Sequence, residues 1–273
     1  FDWETSYGTF RAGTPMITTV PYVYEAFSQV YAIDKNPKWL RIMQSIADHV
    51  FKDYRDEVVG PTASSCAYTP TPEGPTSVIN TSAYRAFVLT RAGIELSRNE
   101  YFDVAQRNLN FVLSTQQADG SWPYAVGGGK DFVDHFHTCF VLKSLAKIEK
   151  LTGSTDCREA IDRGTRYYLE HFFDTDRLPV PFSRKPRLTV YRRELYDFAE
   201  CINLAVLLRG RFPELDRILG SLLDELLTRW QKPDGSFRTR ELFTGWDNVP
   251  MHRWAQAQLF RSLCFLLSDS NAN

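Results

Sequence analysis

Apolar residues recur every three or four positions through most of this chain, the spacing of one face of an α-helix, and the blocks that do so come in pairs. Residues 20–33 and 38–53 make the first pair, divided by Asn36-Pro37, an N-cap followed by a proline at the first helical position. Residues 82–97 pair with 100–116 across Arg98-Asn99, 137–151 with 156–173 across Gly153-Ser154-Thr155, and 195–209 with 213–230 across Gly210-Arg211-Phe212. Residues 250–268 begin a fifth unit without a visible partner. The pattern predicts an all-α fold of about nine helices arranged as hairpins.

Two segments mark the period. Gln116-Gln117-Ala118-Asp119-Gly120-Ser121-Trp122 and Gln231-Lys232-Pro233-Asp234-Gly235-Ser236-Phe237 share the form Q-x-x-D-G-S-aromatic. Half of their separation gives a unit of roughly 57 residues. Each copy follows an amphipathic run, and its Asp-Gly stops that helix and turns the chain.

Within each pair the first helix is the more apolar and small-residue-rich, as in Phe140-Val141-Leu142-Lys143-Ser144-Leu145-Ala146, whereas the second carries more charge. That asymmetry suggests an inner and an outer layer of helices closed into a ring, an α/α toroid in one domain over residues 1–273. Connections from inner to outer helix are short, but those back to the next inner helix are long. In antiparallel hairpins all the long loops emerge at one end, so the mouth of a cavity is expected there. The first residue is Phe1 rather than Met, so an upstream segment that completes the ring is expected.

Of the 273 residues, 43% are hydrophobic, enough for one large core, and 32 Lys+Arg against 33 Asp+Glu leave no field of one sign for nucleic acid or an anionic membrane. No apolar run approaches the roughly 20 residues of a bilayer span, and no signal-peptide pattern opens the chain, so a cytoplasmic location is expected. Five cysteines, Cys66, Cys139, Cys157, Cys201 and Cys264, are an odd number and read as reduced, buried thiols.

Candidate chemistry sits in the long loops. They supply Trp3 and Tyr7, then Trp122, Tyr124, Asp134, His135 and His137, then Arg193, Tyr196, Asp197 and Glu200, and finally Trp246, Asp247, His252, Arg253 and Trp254. Aromatic faces with a few carboxylates, histidines and arginines suit sugar rings, whose C–H faces stack on Trp and Tyr while their hydroxyls take hydrogen bonds. They also suit an isoprenoid diphosphate.

The sharpest cluster is Asp131-Phe132-Val133-Asp134-His135-Phe136-His137, behind Gly127-Gly128-Gly129. Asp134 falls where an N-cap belongs, with His135 solvated beside it. His137 can act as a base near neutral pH with Asp134 to orient it. The glycine run lacks the Gly-Lys-Ser/Thr of a phosphate loop. A zinc ion on Asp134, His137 and Cys139 would need residues two apart on a helix to share a face, so no metal or other cofactor is expected. Arg193, Tyr196, Asp197 and Glu200 fall near one stripe of an inner helix, and Asp247 stands at the start of the last one.

The turn from Gln116 to Trp122 resembles the QW motif of terpene cyclases, and Asp134-His135-Phe136-His137-Thr138 resembles the D-x-F/Y-H-T stretch of protein prenyltransferase β subunits. Both families build α/α barrels, so the resemblance implies that fold. In the prenyltransferases the motif's histidine, here His137, binds zinc with an Asp-x-Cys pair that has no counterpart upstream. The D-x-D-D motif of class II terpene cyclases is also missing. Gly13-Thr14-Pro15, Asp134-x-Phe136-His137-Thr138 and Arg253-Trp254-x-Gln256 are similar to α/α-toroid proteins associated with bacterial surface-polysaccharide synthesis. Glycan-active toroids include hydrolases, uronate lyases and epimerases.

These readings converge on a carbohydrate-active enzyme working on an acidic, uronate-type bacterial glycan. His137, Asp134, Tyr196 and Asp247 are the expected catalytic residues. Trp3, Tyr7, Trp122, Tyr124, Arg193, Glu200, Trp246, His252 and Arg253 are expected to bind substrate. A non-catalytic glycan-binding module and an isoprenoid enzyme are the alternatives.

Overall fold

The computed structural model describes residues 3–5, 8–184 and 188–270, without the side chains of Trp3, Glu4, Thr5, Arg253 and Ser270. Among the described residues nine α-helices follow in order: α1 (Val20–Asp34), α2 (Pro37–Lys52), α3 (Ile79–Glu95), α4 (Tyr101–Ser114), α5 (His135–Thr152), α6 (Thr155–His171), α7 (Leu195–Leu207), α8 (Pro213–Glu225) and α9 (Ala257–Ser270). The hydrophobic period therefore locates every helix, including the one at 257–270. Asn36 caps α2 as expected, its side chain accepting from the Lys38 amide at 3.0 Å. Two stretches assigned to helix form π-helical turns instead, Leu226–Trp230 after α8 and His252–Gln256 before α9.

The all-α expectation needs one correction, because the long connections contain short antiparallel strands. These are β1 (Trp3–Thr5) with β2 (Gly8–Phe10), β3 (Asp56–Gly60) with β4 (Ala63–Cys66), β5 (Val133–Asp134) with β6 (Phe182–Arg184), and a sheet of β7 (Tyr191–Glu194), β8 (Arg240–Leu242) and β9 (Gly245–Asp247). Strands this short show no alternation of polarity, and β5 and β7 find their partners in distant loops, so local sequence carries no trace of them.

Contacts cluster into two compact units. The first comprises Phe1–Gln116, Ala125–Gly129 and Lys147–Arg158; the second comprises Gln117–Tyr124, Lys130–Ala146 and Glu159–Asn273. In the first unit α3 is buried on nearly every side, while α4 buries one face against it. The second unit repeats this with α7 and α8. A helix enclosed on all sides must be apolar or small-residue-rich all round, which is the asymmetry seen in the sequence.

Arg85 of α3 anchors the first unit. Its guanidinium, 1% exposed, donates to the carbonyls of Val50 (2.9 Å), Phe51 (3.0 Å) and Tyr54 (3.2 Å) and to the Asp56 carboxylate (2.8 Å). The first two carbonyls belong to the last turn of α2, which has no partners of its own, so a side chain from another helix caps that end.

The two Q-x-x-D-G-S turns have the same internal geometry. In the first, the Gln117 and Gly120 amides donate to Ser121 O and Gln117 O, and Asp119 Oδ1 accepts from the Ser121 amide (2.9 Å) and hydroxyl (2.7 Å). In the second, Lys232, Gly235, Asp234 and Ser236 repeat every one of those bonds. Gly120 sits at φ +93° with Arg163 O only 2.5 Å from where a Cβ would stand, so both the turn and the close approach demand glycine.

Candidate functional site

The site lies in the second unit, where two helices of that unit start directly from short strands. Asp134 is the last residue of β5 and precedes α5. Its Oδ1 accepts the His137 backbone N–H at 2.9 Å and its Oδ2 meets His137 Nδ1 at 2.6 Å. The backbone cap pins the carboxylate, and the carboxylate then fixes the ring of the same histidine. With Nδ1 turned to the carboxylate, Nε2 is the ring nitrogen left for other partners. The Asp134 side chain is 3% exposed and that of His137 22%, which leaves the base accessible and its orienting group dry. Around His137 stand the rings of Phe136, Tyr124 and Phe140, with centroids 4.4, 4.5 and 5.5 Å away.

His135 corrects the expectation of a solvated residue, because it is fully buried. Its Nε2 lies 2.6 Å from the Tyr168 hydroxyl, and burial pulls its pKa down to about 3, so it is a neutral packing residue.

The second helix start mirrors the first. Glu194 ends β7 and stands before α7, as Asp134 stands before α5, so Asp197 occupies the rank of His137. Glu194 accepts from Arg240 at 2.8 and 3.0 Å. Burial nonetheless raises its pKa, against the pull of Arg240. Asp197 is 0% exposed, and neither of its oxygens has a hydrogen-bond partner among the described residues. Burial first, then the charges of Glu194, Asp134 and Glu200, push its pKa well above the usual carboxylate range. One turn on, Glu200 is fully buried and takes the Lys143 ammonium of α5 on Oε2.

Not all of the expected residues join this cluster. Tyr196 does: it is 3% exposed, with its ring 5.2 Å from Phe136, 6.0 Å from Phe140 and 5.6 Å from Trp254. Arg193 lies on β7 rather than on the stripe of α7, and Asp174 and Glu241 both bind its guanidinium, so its charge is already neutralised. Trp122 is 2% exposed and packs so closely on Gly164 that a Cβ there would fall 2.5 Å from its ring; it belongs to the core. Trp246 packs edge-on to Trp230 at 5.0 Å, with the Arg238 guanidinium 5.0 Å from its centroid. Asp247 is half-buried and caps the Val249 amide at 3.0 Å; His252 is exposed. Trp3 lies on β1, Tyr7 falls outside the described residues, and so does the side chain of Arg253.

Glu194, Lys143 and Arg240 do not stand out as binding or catalytic candidates in the sequence, whereas Asp197 stands among the loop candidates without an assigned role. The signal that could have found them is the register between Asp134-x-x-His137 and Glu194-x-x-Asp197, each an acid followed three residues later by a titratable group at an inner helix start. Among the described residues no three His, Cys, Asp or Glu side chains are placed to hold a metal ion, and no helix is long and apolar enough to cross a membrane. The first unit has a groove of about 670 Å³ between α2 and the end of α3. Its Asp48 accepts from Tyr101, and its Glu95 from Tyr24, Ser28 and Arg91, so those carboxylates are satisfied within the protein.

No protein-family model and no curated protein matches the sequence. Solved structures do match in fold. A GH76 α-mannanase from Bacteroides thetaiotaomicron aligns over 96% of this chain and 71% of its own, at 13% identity and TM-score 0.73. A sugar epimerase from a ruminal bacterium aligns over 99% and 75%, at 9% identity and TM-score 0.74. An unsaturated glucuronyl hydrolase specific for heparin aligns over 93% and 77%, at 10% identity and TM-score 0.71. The chain shares the helical-hairpin fold of these α/α-toroid proteins. The likeness is one of fold, and these three neighbours are sugar-active proteins.

Proposed function

We propose that this chain is a carbohydrate-active enzyme acting on an acidic, uronate-containing bacterial glycan, built as a closed α/α toroid with His137 as its base. One observation carries the reading: Asp134 holds His137 through both the backbone and the ring, with the His137 side chain partly exposed among aromatic faces. The sugar-active neighbours in fold support the substrate class.

In elimination or epimerisation, His137 Nε2 takes the proton from the carbon next to the uronate carboxylate, and the electron pair passes into that carboxylate as an enediolate. Collapse of the enediolate then either expels the glycosidic oxygen, which takes a proton from Tyr124, or returns a proton from Tyr124 to the opposite face of the carbon. In hydrolysis the same base takes a proton from water, whose oxygen bonds to the anomeric carbon while the glycosidic oxygen leaves with a proton from Tyr124. The non-catalytic glycan-binding reading offers no account of an imidazole oriented at Nδ1 by the same buried acid that caps the histidine's backbone N–H.

Incubation with alginate, hyaluronan and polygalacturonate, followed by ultraviolet absorbance of unsaturated ends, reducing ends and deuterium uptake from heavy water, separates the three reactions. Signal is expected in one channel at least, with His137→Gln lower by roughly 10²–10⁴-fold. Silence in every channel, or an unaffected His137→Gln, would rule the reading out.

A further inference from the structure

The inner face of α7 carries polar groups that the protein leaves half satisfied. Asp197, Glu200 and Asn203 are spaced three residues apart on one face and are 0%, 0% and 1% exposed. Asp197 Oδ1 and Oδ2, Glu200 Oε1 and Asn203 Oδ1 have no hydrogen-bond partner among the described residues. The remaining polar atoms of two of them are tied down: Glu200 Oε2 holds Lys143, and Asn203 Nδ2 donates to Ser262 Oγ at 2.9 Å. The protein thus fixes two of these side chains while leaving their other acceptors without a donor among the described residues. Buried acceptors without donors are costly, and such groups persist where something else supplies the donor.

Charge narrows what that something is. Three cations of this region are committed: Lys143 to Glu200, Arg240 to Glu194, and Arg193 to Asp174 and Glu241. A carboxylate entering here would meet the acid groups of Asp134, Glu194, Asp197 and Glu200, which already lie close together. A hydroxyl group meets no such penalty, because it donates to the carboxylate and amide oxygens. The Tyr196 and Phe140 rings, 6.0 Å apart and almost fully buried, belong to the same two helices and make their surroundings apolar.

We infer that Asp197, Glu200 and Asn203 form a subsite for the hydroxyls of an uncharged sugar unit, so that the substrate is a glycan in which a neutral residue neighbours the acidic one. This rests on the sugar-active reading above and specifies its substrate.

Calorimetric titration with cellobiose, mannobiose, chitobiose and glucuronic acid tests it on the whole chain. At least one neutral disaccharide is expected to bind ten-fold or more tightly than glucuronic acid. Asp197→Leu should weaken that binding at least ten-fold without lowering the melting temperature, since it removes an unpaired buried group. Asp197→Asn, which keeps the side-chain shape, gives the same comparison if the leucine variant does not fold, with at least a three-fold loss expected. Unchanged affinity in the variants, preference for glucuronic acid, or binding of none of the four overturns the subsite. If acidic polysaccharides are still turned over in that case, the enzyme reading stands and only the subsite falls. If neutral binding depends on Asp197 but no turnover occurs, the subsite stands and the catalytic reading falls.

Discussion

Asp134→Asn should lower turnover by roughly 10²–10⁴-fold while leaving the fold almost as stable as before. Asparagine is as good an N-cap as aspartate, so its Oδ1 can keep the His137 backbone bond that measures 2.9 Å. Its amide N–H₂ then faces Nδ1, and two donors cannot share a hydrogen. The imidazole must move its proton to Nε2 or swing away, and in either case the base is lost. Turning the amide over restores the ring bond but sets the N–H₂ against the backbone N–H. Turnover of the responsive glycan and a melting curve measured side by side check this. Activity within three-fold of wild type would mean that Asp134 serves the helix alone.

Replacing Arg85 with methionine should cost about 3–5 kcal/mol of folding stability, the largest structural effect expected of a single change here. The methionine fills much of the space but leaves the carbonyls of Val50, Phe51 and Tyr54 buried without a donor, and Asp56 without its ion pair. Asp56 also receives Ser64 Oγ and Asn108 Nδ2, both at 3.0 Å, so the loss spreads from the end of α2 into β4 and α4. A urea midpoint gives the value. A loss below about 1 kcal/mol would show that water replaces the guanidinium and that Arg85 is no cap.

The helices were legible because each has a one-sided apolar period and a local stop signal, and the two Q-x-x-D-G-S turns repeat bond for bond because Asp119 and Asp234 act only on neighbours in sequence. What depends on distant partners was not legible. Trp122 reads as a loop aromatic, yet Gly164 of α6 opens the space that buries it. Arg193 reads as a substrate-binding residue, yet Asp174 and Glu241 come from other loops to neutralise it. Asp197 reads as one member of a polar stripe, and only its burial beside Glu194 and Glu200 sets it apart. Asp134 and His137 lie between these cases, since the cap could be read locally while the second bond, to the ring, depends on side-chain geometry.

The central claim is that His137 offers an unprotonated Nε2 to a sugar. Nitrogen-15 spectra of the histidine rings, recorded at neutral pH with and without an oligosaccharide of the responsive glycan, test it most directly. The account predicts that His137 is protonated on Nδ1 and that its Nε2 resonance moves when the oligosaccharide is added. A ring protonated on Nε2, or one whose Nε2 resonance does not respond to saturating oligosaccharide, would contradict it.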